Sequence, residues 1–151
     1  MIIHGLQKLT LLDYPGQTAC TLFFGGCNLR CPFCHNAALV TGQAPTAMTE
    51  GEFLAFLKKR RGLLDGVCIT GGEPTLRKDL PEFIRKIREL GYLVKLDTNG
   101  CFPDRLEKLI DQGLVDYVAM DLKNSREEYP ATVGIPNFDT APIAQSIRLL
   151  M

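Results

Sequence analysis

The chain has 151 residues, 46% of them hydrophobic, and its 17 Lys+Arg balance 17 Asp+Glu to no formal net charge. That size suits one domain with a real core. The balanced charge gives no field for holding DNA or RNA, and no apolar run reaches the length of a membrane-spanning helix.

In chain order, Met1-Ile2-Ile3-His4-Gly5 lacks the basic end and small-residue cleavage site of a secretory signal. The expected location is therefore the cytoplasm, whose reducing poise argues against reading the six cysteines as disulfides. Residues 1–16 close on Leu12-Asp13-Tyr14-Pro15-Gly16, a turn signal. Thr18 to Gly25 is short, β-branched and aromatic, which predicts a first strand. The segment Gly26 to Asn36 follows, with Cys27, Cys31 and Cys34 spaced as C-x3-C-x2-C and no fourth cysteine close behind. After a Thr-, Gly- and Pro-rich loop over Thr41 to Ala47, Thr49 to Lys59 predicts a helix. Thr49 is its N-cap, Glu52 takes the capping-box position, and Phe53, Phe56 and Leu57 keep helical spacing.

Gly66 to Thr70 predicts a second strand running into Gly71-Gly72-Glu73-Pro74. Asp79 to Leu90 predicts a helix with Leu80, Phe83, Ile84, Ile87 and Leu90 on one face, Pro81 in its first turn and Gly91 as its stop. Tyr92 to Asp97 is the third strand, followed by Thr98-Asn99-Gly100. Pro103 to Gln112 is the next helix, burying Leu106, Leu109 and Ile110 and stopped by Gly113. Val115 to Asp121 is the fourth strand, leading into Leu122-Lys123. Asn124 to Phe138 carries no regular pattern, and Thr140 to Met151 reads as the start of a further helix. Its apolar pattern meets no stop signal at Leu149-Leu150-Met151, so the natural chain is expected to run on.

Strand followed by helix, repeated four times, implies an α/β fold with a parallel sheet and right-handed crossovers. Each strand ends in polar or glycine-rich residues, at the sheet edge where such folds carry their active sites. Alternation puts Lys95 and Asp97 on one face against Val94 and Leu96, and Ala119, Asp121 and Lys123 against Val118, Met120 and Leu122. The apolar faces should meet helices and the charged faces a concave lumen.

A [4Fe-4S] cluster is normally held by four thiolates. Three in one short loop would leave one iron open, and an open metal position marks a site where a small molecule reacts. The same three cysteines could instead bind zinc with His35 as fourth ligand, although zinc leaves Gly71-Gly72-Glu73-Pro74 unexplained. Those four residues alone could be a plain strand-to-helix turn. Asn99-Gly100 is a common turn dipeptide, Asp97 could cap a helix, and Asp121 with Lys123 could be a surface pair. Cys20, Cys68 and Cys101 read as core filler. His4 and the Asp13 to Gly16 turn read as structural, with partner docking as the turn's other reading.

CNLRCPFC after the first strand, with GGEP after the second, resembles the radical S-adenosylmethionine (SAM) enzymes. DTNG after the third strand and DLK after the fourth narrow the resemblance to glycyl-radical-enzyme activases. LDYPG looks like the activating proteins of anaerobic ribonucleoside-triphosphate reductase. The fold implied is a partial (βα) barrel of parallel strands with outer helices. A full-length core has six βα units and this chain supplies four, as in a short relative or a cut chain.

By this resemblance Cys27, Cys31 and Cys34 ligate three irons and SAM chelates the fourth. Gly71, Gly72 and Glu73 hold the SAM amino group. Phe33 packs near the adenine, whose edge is read by backbone groups of Phe33 to Asn36, His35 included. Asp97, Thr98, Asn99, Asp121 and Lys123 sit where the family holds the ribose and the methionine carboxylate. An electron from a flavodoxin- or ferredoxin-type donor cleaves SAM to methionine and a 5′-deoxyadenosyl radical, which takes a hydrogen from a glycine of a partner enzyme, here anaerobic ribonucleotide reductase. No residue is implied as catalytic beyond the cluster and SAM ligands. Asp97, Asp121 and the SAM carboxylate would gather negative charge, balanced by Lys123 and Lys95 or by a monovalent cation at Asp97, Thr98 and Asp121. The readings left open are a radical SAM enzyme with another target, either a pyruvate formate-lyase-type enzyme or a small molecule, and a non-catalytic cluster-binding domain.

Overall fold

The computed structural model describes residues 1–151. In chain order its elements are β1 (Ile2–Ile3), β2 (Gly5–Thr10), β3 (Ala19–Phe24), α1 (Ala37–Val40), β4 (Met48–Thr49), α2 (Glu50–Lys59), β5 (Gly66–Gly71), α3 (Leu80–Glu89), β6 (Leu93–Thr98), α4 (Pro103–Asp111), β7 (Tyr117–Met120), α5 (Tyr129–Val133) and α6 (Ala141–Leu150). A single 3-10 turn, Pro74–Leu76, lies between β5 and α3.

The main sheet runs β2-β3-β5-β6-β7. Neighbours among β3, β5, β6 and β7 pair in parallel, and β2 joins β3 antiparallel. The four parallel strands are those expected from the sequence, in the expected order, and form the staves of a partial (βα) barrel. Phe53 and Leu57 of α2, Phe83, Ile84 and Ile87 of α3, and Leu106 and Leu109 of α4 bury one face of the sheet against Leu22, Phe24, Ile69, Val94 and Leu96. The aromatic pairs Phe24–Phe83 and Phe53–Phe83 pack at centroid distances of 5.8 and 5.9 Å. The opposite face carries Thr70, Lys95, Asp97 and Ala119 toward an open lumen.

The capping box at the start of α2 is as expected. Thr49 Oγ1 accepts from the Glu52 N–H at 3.3 Å and Glu52 Oε2 accepts from the Thr49 N–H at 2.7 Å. Thr49→Ala removes both the acceptor and the box, and should cost about 1 kcal/mol, read as a lower urea midpoint with an unchanged slope.

Several elements were not expected. Gly5–Thr10 is a strand, although residues 1–16 show only a turn signal. Its Gln7, Lys8 and Leu9 are exposed, so it carries no buried stripe, and backbone pairing to β3 holds it. A register shift between Gln7 and Thr10 breaks its alternation further. It covers what would otherwise be a free sheet edge. The two-residue strands β1 and β4 pair antiparallel beside it. The helix α1 lies in a stretch left without an element, and α5 in a stretch expected to be irregular; at four and five residues both are too short for helical periodicity.

The fourth strand is shorter than expected. Because β7 ends at Met120, the two-residue alternation does not carry on through Asp121-Leu122-Lys123. Leu122, expected on the helix-facing side, is 60% exposed. Met120, expected beside it, packs against a second small core of Leu29, Tyr129, Val133 and Ile143. That core joins α5 and α6 to the cysteine loop, and Cys27 and Cys31 pack on it.

Candidate functional site

A cavity of about 550 Å3 opens at the C-terminal ends of β3, β5, β6 and β7, within the size range of small-molecule pockets. Every residue expected in the site lines it except Glu73: Cys27, Cys31, Phe33, Cys34, His35, Asn36, Gly71, Gly72, Asp97, Thr98, Asn99, Asp121 and Lys123. Leu29, Val40, Thr70 and Met120 line it too. Of these Thr70 was the most findable, since it directly precedes the double glycine.

Backbone seams hold the cysteine loop. The Gly72 N–H donates to Phe24 O at 2.8 Å, the Glu73 N–H to Gly26 O at 2.8 Å, and the Gly26 N–H to Leu39 O at 2.9 Å. Asn36 Nδ2 donates to Gly71 O at 3.3 Å. The chains approach too closely for side chains: a Cβ at Gly71 would stand 2.3 Å from Phe24 O, and one at Gly72 1.9 Å from Gly26 O. Farther along, the Arg30 N–H donates to Val133 O at 2.9 Å, and Gly134, at φ +69, lies where a Cβ would strike Arg30 O. His4 is structural, its Nδ1 accepting from the Gly25 N–H at 2.9 Å.

The three thiols are half-buried. Burial pushes Cys27 up, opposed by the Leu29 N–H bonded to its sulfur. It also pushes Cys31 up, opposed by the positive charge of Lys123. The thiols share one cavity, but no three of the chain's Cys, His, Asp and Glu side chains converge on one ion-sized point. The other cysteines are placed as core thiols: burial raises Cys20 to about 12 and Cys68 and Cys101 to about 11, so they stay protonated and unreactive.

Each acid of the lumen has its own lysine. Lys95 Nζ lies 2.5 Å from Asp97 Oδ1, and Lys123 Nζ lies 2.5 Å from Asp121 Oδ2. Lys95 is 7% exposed, a depth at which a lysine needs such a partner. Burial pulls Lys123 down, but the bond to Asp121 and its charge outweigh this and leave it above the ordinary range. Two alternating pairs of charge on one wall suit a ligand that is itself zwitterionic. At the other side of the opening Phe33 is 57% exposed, an apolar ring free to cover a planar base.

Glu73 lies behind the cavity lining. It is 1% exposed, and its carboxylate turns from the cavity into the joint between β5 and β6. Oε1 accepts from the Thr75 N–H at 3.0 Å, from Thr75 Oγ1 and from Thr98 Oγ1 at 2.8 Å, while Oε2 accepts from the Asn99 N–H at 2.7 Å. Four donors meet it, three at Oε1 and one at Oε2. Burial outweighs them and raises its pKa.

The sequence pattern of the radical SAM superfamily matches residues 21–150. A Methanocaldococcus jannaschii protein named as a glycyl-radical enzyme activating enzyme is 38% identical over 85% of this chain and 52% of its own length. The pyruvate formate-lyase 1-activating enzyme of Escherichia coli K12 is 30% identical over 95% of this chain and 61% of its own. A Pyrococcus abyssi protein named as a GTP 3′,8-cyclase is 33% identical over 75% of this chain and 37% of its own. The chain thus spans about half the length of the curated relatives it matches. A solved structure of TYW1 with a lysine-pyruvate adduct bound matches at a TM-score of 0.56 and 19% identity, over 87% of this chain and 50% of that one, a likeness of fold. No helix is long and apolar enough to cross a membrane.

Proposed function

The chain belongs to the radical SAM superfamily, and from that membership we propose that its cavity holds a [4Fe-4S] cluster with SAM and that the protein is an activase of glycyl-radical enzymes. The observation that carries this reading is one cavity lined by the three-thiol loop, the double glycine and both Asp–Lys pairs. The donor set fits the group: three thiols suit iron-sulfur ligation, and the space beside them suits a nucleoside-sized ligand. When bound, cluster and SAM supply a carbon-centred radical able to take a hydrogen atom from glycine.

In this reading Cys27, Cys31 and Cys34 hold the cluster. The carbonyls of Gly71 and Gly72 would hold the SAM ammonium, and Asp97, Asp121 and Lys123, with Lys95 paired to Asp97, would stand by its ribose and carboxylate. Phe33 covers the adenine, whose edge meets the backbone of His35 and Asn36, and Thr98 stands near the ribose. Glu73 would join the two carbonyls at the ammonium through Oε2, which accepts a single bond. A monovalent cation at Asp97, Thr98 and Asp121 is the alternative counter-charge; the two lysines and the Thr98–Glu73 bond leave it little to balance.

The partner we propose is anaerobic ribonucleotide reductase, reduced equivalents coming from a flavodoxin- or ferredoxin-type donor in the cytoplasm. The relatives named as glycyl-radical enzyme activases support the general partner class. The specific one rests on the resemblance of the LDYPG segment; there Tyr14 is anchored at 4% exposure beside Ala19 and Cys68, while Leu12 and the preceding Leu11 stand out at 89% and 70% as apolar surface open to a partner. The likeness to a GTP 3′,8-cyclase favours a second reading, chemistry on a small molecule.

The test is anaerobic loading with iron and sulfide, reduction, addition of SAM, and chromatography for 5′-deoxyadenosine. Its formation is expected, and a loaded chain whose spectrum ignores SAM would sink the reading. A glycyl radical seen by EPR only when the reductase is added separates the activase from an enzyme of small molecules.

A further inference from the structure

Asn99 lies at the exit of β6, 6% exposed, and is fixed at four points. Its backbone N–H donates to Glu73 Oε2 at 2.7 Å. Its Oδ1 accepts from the Cys101 N–H at 3.0 Å. Its Nδ2 donates to Asn28 Oδ1 at 2.9 Å and to Cys27 Sγ at 3.8 Å. The Cys101 contact decides which way the amide points: turning it over would set its NH2 against a backbone N–H and its oxygen against Asn28 Oδ1, opposing donor to donor and acceptor to acceptor. The NH2 therefore faces the Cys27 sulfur, which takes a second N–H, from Leu29, at 3.4 Å.

What holds Asn99 there is Glu73. No lysine or arginine pairs with this buried carboxylate. An ionised group so deep is unfavourable unless hydrogen bonds meet it, and the bonds that meet it tie the end of β5 to Thr98 and Asn99 at the end of β6. We propose that Asn99 tunes the cluster by hydrogen-bonding the Cys27 sulfur, and that Glu73 is the positioning residue that aims it. An N–H on a ligating sulfur draws off negative charge, favouring the reduced cluster and raising its potential. This inference rests on the reading of Cys27 as an iron ligand, and it takes Asn99 away from the ribose and carboxylate to which the family resemblance assigns it.

The experiment is an EPR-monitored redox titration of the full, anaerobically loaded chain, with iron content measured alongside. Asn99→Ser keeps an oxygen for the Cys101 N–H and loses the donor. The ratio of reduced to oxidised cluster at a fixed potential should fall about threefold or more at wild-type iron content. Glu73→Asp keeps the charge, shortens the reach to the Asn99 N–H, and should shift the ratio in the same direction. Thr75→Val removes one Glu73 contact without touching Asn99, and should lower Tm while leaving the ratio unchanged. Should Asn99→Ser fail to load, Asn99→Ala replaces it, losing the donor to the sulfur without adding charge. Wild-type ratios in Asn99→Ser and Glu73→Asp overturn the proposal, as does an equal shift in Thr75→Val, which would mark general loosening. Failure of both Asn99 variants to load while Thr75→Val loads also overturns it, in favour of a role in assembly. A wild-type chain that takes up no cluster overturns the parent reading, and this inference with it.

Discussion

Serine at Cys27, Cys31 or Cys34 is expected to leave the anaerobically loaded protein without its cluster and to cut 5′-deoxyadenosine formation by well over the 10- to 100-fold, roughly, that loss of a mere supporting contact to a metal site produces. A serine hydroxyl stays protonated where a thiolate would bind iron, and it is a harder donor than the metal prefers. Two of the other cysteines are sealed away from the cluster. Cys20 sits in the main core and Cys68 in the cluster around Tyr14, both fully buried. Cys101 packs on the second core beside α5 and α6. Serine at Cys20, Cys68 or Cys101 should therefore cost stability and leave iron content near the wild-type value. Iron and sulfide per chain, the visible spectrum and the SAM cleavage assay check both halves. Should serine at one of the loop cysteines retain a SAM-responsive cluster, the assignment of the three ligands is wrong.

Four strands and four of the helices were legible because their periods are. Phe83, Ile84 and Ile87 on α3, and the change from Val94 to Lys95 to Leu96 to Asp97 along β6, are patterns that burial alone imposes. So is the edge at which the site lies, since polar residues recur at four strand ends and the topology brings all four together. What escaped was held by backbone or by direction. The strand β2 pairs with β3 without burying a stripe, and α1 and α5 last little more than a turn. The Glu73 carboxylate was legible as a residue type but not as a rotamer: nothing in GGEP says that Thr75, Thr98 and the Asn99 N–H will capture it. Likewise alternation put Lys95 and Asp97 on one face, but their pairing at 2.5 Å is a matter of side-chain reach.

Gly72→Ala should destabilise the fold by about 3 kcal/mol or more, through overpacking and a lost hydrogen bond. For a domain of this size that lowers Tm by about 10 °C. The added Cβ would stand 1.9 Å from Gly26 O and 2.6 Å from Gly26 C. Both atoms are backbone, so no rotamer change relieves the clash, and the chain must open the bond from the Glu73 N–H to Gly26 O. Opening it parts the end of β5 from the start of the cysteine loop, so cluster loading should fall together with stability. Gly51→Ala is the matched control. Gly51 lies inside α2, where a Cβ meets nothing within 4 Å, and alanine there should add about 0.5–1 kcal/mol by stiffening the unfolded chain and favouring the helix. Urea titration and iron content of the two variants side by side decide the matter. If Gly72→Ala unfolds at the wild-type midpoint and takes up its full iron, the seam between the double glycine and the cysteine loop is not what fixes the site.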